Sequence, residues 1–169
     1  MNSPVSLYIH VPFCVTLCPY CAFYKQEWTA QAEAAYIAAL QIELADYARR
    51  LDGCPVHTVF WGGGTPNVLR RTAIQGVMSQ IASEFNLAHD AEISLEMNPG
   101  ISAPSKLQAM VEAGINRLSI GVQSFQDEEL RYLGRGHTVF NTVEAINTVK
   151  ALGLKSWSLD LMTGFQGQA

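Results

Sequence analysis

Cys14, Cys18 and Cys21 fall in one short, turn-rich stretch, Tyr8-Ile9-His10-Val11-Pro12-Phe13-Cys14-Val15-Thr16-Leu17-Cys18-Pro19-Tyr20-Cys21. Three thiolates this close can hold three irons of a four-iron cluster. The fourth iron then has no protein ligand and is open to a small molecule. Such a site is reactive and not only an electron carrier. Two other readings use the same residues: a structural zinc site, or three unrelated buried thiols. Structural zinc takes four ligands, commonly in two separated pairs. No second pair is present, and His10 and His57 are the residues that would have to complete one.

Two further groups carry chemistry. Gly62-Gly63-Gly64-Thr65-Pro66 ends a strand-like run, and glycines let a backbone approach a ligand closely. The same run also reads as a plain strand-to-helix turn. Glu96, Asn98, Gln123, Ser124 and Asp160 stand at or near the ends of other strand-like runs. Carboxylates accept from an amino group or ribose hydroxyls, and an amide donates to a carboxylate. Arg135, in Leu133-Gly134-Arg135-Gly136-His137, has the fork that pairs with a carboxylate. Taken singly, each of these is as readily a satisfied structural polar group.

The elements that must position these residues alternate along the chain. Strand-like runs cover 5–11, 56–61, 91–97, 116–123 and 155–161. Helical spacing covers 29–51, 70–85, 104–112 and 139–151, with Gly53, Gly114 and Gly153 at helix ends. Strands alternating with helices predict a parallel sheet with the helices packed outside.

A parallel strand covered on both faces reads as a continuous apolar run. Here Ser6, Tyr8 and His10 alternate with Leu7, Ile9 and Val11, and Glu92, Ser94 and Glu96 with Ile93, Leu95 and Met97. Arg117, Ser119, Gly121 and Gln123 alternate with Leu118, Ile120 and Val122, and Ser156, Ser158 and Asp160 with Trp157, Leu159 and Leu161. Neighbouring strand residues point to opposite faces, so one face is apolar and the other polar. An antiparallel sheet with one wet face gives the same pattern, but the intervening helices favour a curved parallel sheet whose concave face lines a polar cavity. In such barrels function sits at the C-terminal ends of strands, where the cysteine stretch lies.

With 169 residues and 49% apolar content, one sizeable core is affordable. A formal net charge of −4 speaks against a nucleic-acid surface. No apolar run reaches membrane-spanning length, and Met1-Asn2-Ser3-Pro4 shows no secretory signal. These features predict a cytoplasmic chain, where cysteines are ligands more often than disulfides. Cys54 reads as a structural thiol and His89 as solvated in a polar loop. His137 is a candidate ligand contact, and Arg49-Arg50 complements a helix C-terminus.

The Cys-x3-Cys-x2-Cys arrangement resembles the signature of the radical SAM enzymes. The run from Tyr8 to Cys14 is similar to the branch of oxygen-independent coproporphyrinogen III oxidases and their haem-chaperone relatives. So are Phe60-Trp61-Gly62-Gly63-Gly64-Thr65-Pro66, Glu96-Met97-Asn98-Pro99-Gly100, Asn116 to Phe125, Leu133-Gly134-Arg135 and Leu159-Asp160-Leu161-Met162. The resemblance covers nearly the whole chain.

It implies an α/β fold, a partial parallel (β/α) barrel of radical SAM type with five of six strands, residues 1–169 forming an incomplete core domain. It implies a 4Fe-4S cluster on Cys14, Cys18 and Cys21, with S-adenosylmethionine chelated to the open iron. Gly62, Gly63 and Gly64, with Thr65, would sit by the methionine amino end, and Gln123 and Arg135 would hold its carboxylate. Glu96 and Asp160 would bind polar methionine or ribose groups. Tyr20 would lie near the adenine, and Tyr8 on the cofactor and substrate side. Porphyrin or haem would be the partner, with an unidentified electron donor.

Four positions depart from the pattern. Phe23 stands where the coproporphyrinogen oxidases carry another cysteine, and it makes the haem-chaperone branch the nearer likeness. Ala22 replaces that branch's acidic residue, and Phe165-Gln166 replace a leucine and a proline. The chain stops at Ala169, just past the fifth strand-like run, so the expectation is a truncated protein with that strand as an unpaired edge. The leading expectation is a haem-chaperone-like radical SAM protein. The alternatives are a coproporphyrinogen oxidase and a structural zinc module.

Overall fold

The structure is a computed structural model and describes residues 3–168. Met1, Asn2 and Ala169, on which the expectations about a leader and a truncation drew, lie outside the described residues.

Strand β1 (Val5–Val11) leads into a two-residue strand β2 (Phe13–Cys14), which pairs with β3 (Gln26–Glu27) around the cysteine loop. Helix α1 (Ala30–Leu51) follows, then β4 (Pro55–Gly63), a 3₁₀ turn (Pro66–Val68) and α2 (Arg71–Glu84). Next come β5 (Asn86–Met97), α3 (Pro104–Glu112), β6 (Arg117–Gln123), α4 (Asp127–Tyr132), α5 (Val139–Ala151) and β7 (Ser156–Leu161). The main sheet has the order β1-β4-β5-β6-β7 and every pair is parallel. This is the expected α/β architecture, a partial parallel (β/α) barrel with five strands.

The strand alternation decides the layers. Ile9, Val11, Val59, Trp61, Leu95, Met97, Leu118, Ile120 and Val122 are buried on the outer face. They meet Leu44 of α1, Ile74, Val77 and Ile81 of α2, Leu107 and Met110 of α3, and Val149 of α5. Burial of such a face against helices is the main stabilising term of the fold. The concave face carries the polar set, and the register aligns it: Glu96 lies opposite Ser119, and Ser119 opposite Ser158.

Local signals explain the helix ends. Thr29 caps α1 by accepting from Ala32 N, and Thr138 caps α5 in a capping box with Asn141. At the end of α1 the left-handed turn begins at Asp52 (φ 44°), one residue before the expected Gly53 (φ 75°). Arg49 and Arg50 both contact Asp46, at 3.2 and 2.6 Å.

Some elements differ from expectation. β5 starts at Asn86 and not at 91, because it pairs with Pro55 and Val56 before the register shifts and Thr58 meets Glu92. His89 therefore lies in a strand and not in a loop, though it is exposed as expected. The β2–β3 pair and α4 went unread. Two-residue strands have no periodicity, and α4 shows only an acidic first turn (Asp127, Glu128, Glu129) and one buried residue, Leu130. β7 pairs only with β6 among the described residues, and Leu161 at its end is exposed.

Candidate functional site

Four strand ends bring the polar residues to one rim, and the cysteine loop covers it. A cavity of about 330 Å³ is lined by Cys14, Cys18, Cys21, Tyr20, Gly63, Gly64, Thr65, Glu96, Gln123, Arg135 and Asp160, among others. Eleven of the thirteen residues that the resemblance assigns to cluster or cofactor thus face one space. Tyr8 and Gly62 are not among its lining. Tyr8 stacks on Phe60 with ring centroids 6.1 Å apart, and its hydroxyl donates to His10 Nδ1 at 3.0 Å. A Cβ on Gly62 would stand 3.2 Å from the Glu96 carboxyl carbon, so this glycine makes room for Glu96.

Backbone bonds clasp the loop to the sheet. Gly64 N donates to Val11 O at 2.8 Å and Thr65 N to Phe13 O at 2.7 Å. At the loop base, Gln26 N donates to Pro12 O at 2.7 Å and Trp28 N to Cys14 O at 3.0 Å. Gly64 must be glycine, since a Cβ there would lie 2.6 Å from Phe13 O. His10 ties in the far side, with Nε2 donating to Tyr24 O at 3.0 Å. On the opposite wall, a Cβ on Gly134 would stand 2.7 Å from Pro19 Cδ, and one on Gly136 would stand 2.5 Å from Thr16 Oγ1. This close approach delivers Arg135, between the two glycines, to the cysteines.

Arg135 is the hub. Nη2 donates to Asn98 Oδ1 at 2.6 Å and to Gly121 O at 2.9 Å, and Nη1 to the Tyr20 hydroxyl at 3.2 Å. Nη1 also lies 3.7 Å from Cys18 Sγ. Its Nε is buried without a partner, an orphaned donor in a site lined by thiols. Cys14 and Cys18 are buried and Cys21 is half-buried. Burial pushes the Cys14 thiol up, against the Thr65 hydrogen bond. Donors reach two of the three sulfurs from Thr65 and Arg135, the surroundings that an anionic cluster needs. Among the described residues no three His, Cys, Asp or Glu side chains converge as ligands of one ion. Cluster cysteines bind separate irons and need not converge. The residues present fit a four-iron cluster.

The acids sit opposite. Glu96 Oε2 accepts from Gly63 N at 3.2 Å, yet burial raises its carboxyl above the usual range, with Asp160 adding to the effect. Asp160 accepts from Ser119 Oγ at 2.9 and 3.1 Å. Gln123 takes a left-handed backbone (φ 67°), and Ser124 N turns back to Val122 O at 2.8 Å, a γ-turn at the end of β6. Ser124 itself bonds Glu129 and Gln126 N, a structural role. His137 is buried behind the rim, where Nε2 donates to Val122 O at 3.2 Å. It lines a smaller adjoining pocket with Cys18 and Arg135. Cys54 is a half-buried free thiol outside the site, and His57 is exposed on β4.

Sequence reasoning missed Asn67, which is fully buried. Its side chain exchanges two 3.1 Å bonds with the Asn98 backbone and fixes where β5 ends. Its place directly after Thr65-Pro66, in a segment otherwise apolar to Leu69, was the available signal.

Comparisons with known proteins agree with this fold. The family model of the radical SAM superfamily matches residues 8–169. The chain is 40% identical to the haem chaperone HemW of Escherichia coli over 167 residues, which is 98% of this chain and 44% of that protein. It is 39% identical over 168 residues to the mitochondrial radical S-adenosyl methionine domain-containing protein 1 of Bos taurus, 99% of this chain and 38% of that one. Among solved structures, the coproporphyrinogen III oxidase HemN of Escherichia coli superposes with a TM-score of 0.91. It is 34% identical, over 99% of this chain and 39% of the oxidase. The chain thus spans less than half the length of these relatives. Among the described residues no helix is long and apolar enough to cross a membrane.

Proposed function

The chain belongs to the radical SAM superfamily, and from that premise we propose that it is the cofactor-binding core domain of a cytoplasmic haem chaperone. Cys14, Cys18 and Cys21 hold three irons of a 4Fe-4S cluster, and S-adenosylmethionine fills the rest of the cavity. Bound together, cluster and S-adenosylmethionine supply one-electron chemistry at the sulfonium. The protein's own residues orient and bind. Gly63 and Gly64, with Thr65, receive the methionine amino end, while Gly62 and Tyr8 support that wall from behind. Arg135 and Gln123 pair with the carboxylate. Glu96 and Asp160 accept from amino or ribose groups, and Tyr20 borders the adenine. Haem is the partner, and an electron donor completes the system.

The observation that supports this most is the gathering of the cysteines and the rim residues on one cavity. The haem part rests on relatives named as haem chaperones. A second reading has one observation in its favour: the close superposition on a coproporphyrinogen III oxidase. Phe23, at the cavity rim where the oxidases are expected to carry a cysteine, favours the chaperone.

Anaerobically reconstituted protein is expected to carry about four irons and four sulfides per chain. C14A, C18A and C21A should each lose them and C54A keep them. Zinc without sulfide would overturn the cluster. Haem titration and an assay with coproporphyrinogen III, both on the whole protein that contains this core domain, then separate the two readings. Haem binding without decarboxylation is expected, and decarboxylation would replace the chaperone with the oxidase.

A further inference from the structure

Of the hydrogen bonds that leave Arg135, two lead to a cysteine sulfur. One is direct: Nη1 to Cys18 Sγ at 3.7 Å. The other runs from Nη2 to Asn98 Oδ1 at 2.6 Å, from Asn98 Nδ2 to Thr65 Oγ1 at 3.0 Å, and from Thr65 Oγ1 to Cys14 Sγ at 3.5 Å.

The direction of this second path is forced. A guanidinium has donors only and stays protonated in proteins. It therefore takes the Asn98 oxygen, which turns the Asn98 nitrogen toward Thr65. The Thr65 oxygen accepts there, and its own hydrogen is left for Cys14. Thr65 is 1% exposed, so water does not offer the hydroxyl an alternative. The buried Asn67 fixes the Asn98 backbone, holding its N–H and carbonyl at 3.1 Å each, and Arg135 and Thr65 hold the side chain.

We propose that Asn98 is a positioning residue that aims the Thr65 hydroxyl at Cys14 Sγ, so that Arg135 withdraws electron density from two of the three cysteine sulfurs, one directly and one through Asn98 and Thr65. The proposal rests on the cluster assigned above. Hydrogen bonds to ligating sulfurs are among the terms that set a cluster's reduction potential, and they favour the reduced, more negative state. Loss of the Thr65 bond makes the cluster harder to reduce.

The test uses the 169-residue chain, reconstituted anaerobically with iron and sulfide. Midpoint potentials are read by an EPR-monitored dithionite titration for wild type, T65V, T65A, T65S, N98A and the T65V/N98A double variant. T65V, T65A and N98A are expected at more negative potentials and T65S at the wild-type value. The double variant should move no further than T65V, because Asn98 acts on Cys14 through Thr65. Terminal iron–sulfur stretching bands in resonance Raman spectra should change in T65V and T65A and stay in T65S. A cluster-bearing wild type with T65V and T65A at the same potential would overturn the relay alone, as would fully additive shifts in the double variant. Wild type that takes up no cluster overturns both the relay and the function on which it rests.

Discussion

A Cβ on Gly136 would stand 2.5 Å from Thr16 Oγ1, so the loop after α4 and the cysteine loop touch with no room for a methyl group. The first prediction follows from this contact. G136A forces the two loops apart, at a cost of about 1–3 kcal/mol. The displaced Arg135 then leaves Cys18. Chemical denaturation should show the loss of stability, and iron content after reconstitution should fall. T16A in the G136A background removes the obstructing hydroxyl and should recover part of both. No recovery would place the strain elsewhere.

Glu96 yields a prediction of opposite sign. Burial raises its carboxyl, with Asp160 contributing, so the unfolded chain releases this proton at lower pH than the folded one. The folded state is unpenalised below the ordinary carboxyl range and loses stability as pH rises through the raised value. E96Q should therefore be more stable than wild type near pH 7.5 and no more stable near pH 4. The same variant should bind S-adenosylmethionine about ten- to a hundredfold more weakly, by loss of a charged acceptor. Equal stability at both pH values would contradict the buried-charge account.

His137 responds to pH in its own way. Burial lowers its imidazole from 6.5 to about 4, and the nearby Arg135 adds to the effect. The unfolded chain binds this proton more tightly, so the stabilisation is full above the ordinary value and is lost as pH falls toward 4. Between pH 7 and pH 4.5 the wild type should lose up to about 3 kcal/mol from this residue. H137Q keeps a donor for Val122 O and should remove that part of the pH dependence. Parallel curves for the two proteins would refute it.

Glu33 is a stability centre away from the cavity. Its carboxylate is wholly buried and accepts from Trp28 Nε1 at 2.7 Å and from Arg70 N and Nε at 3.0 Å each. E33A leaves these donors unpaired and should cost about 3–5 kcal/mol. Urea denaturation measures it. A loss below about 1 kcal/mol would mean that water replaces the carboxylate.

The strands were legible because each keeps one chemical face, as Ile93, Leu95 and Met97 against Glu92, Ser94 and Glu96 show. The cysteines were legible from spacing, and most rim residues from their place at strand ends. Asn67 and Glu33 were not. Each acts by holding a partner far along the chain, and nothing beside it in sequence marks that partner. The β2–β3 pair was too short to carry a period. Tyr8 faced the expected side of its strand, but its partners, His10 and Phe60, are set by packing that no single strand encodes.

The pairing of Phe13–Cys14 with Gln26–Glu27 makes the cysteine loop a purse drawn closed at its neck. The neck is fastened by backbone groups to backbone groups, and none of those bonds passes through a sulfur. On the function proposed above, the neck would close without metal, and iron and sulfide would enter an already shaped mouth. Stripping the metal should empty the purse without undoing the drawstring.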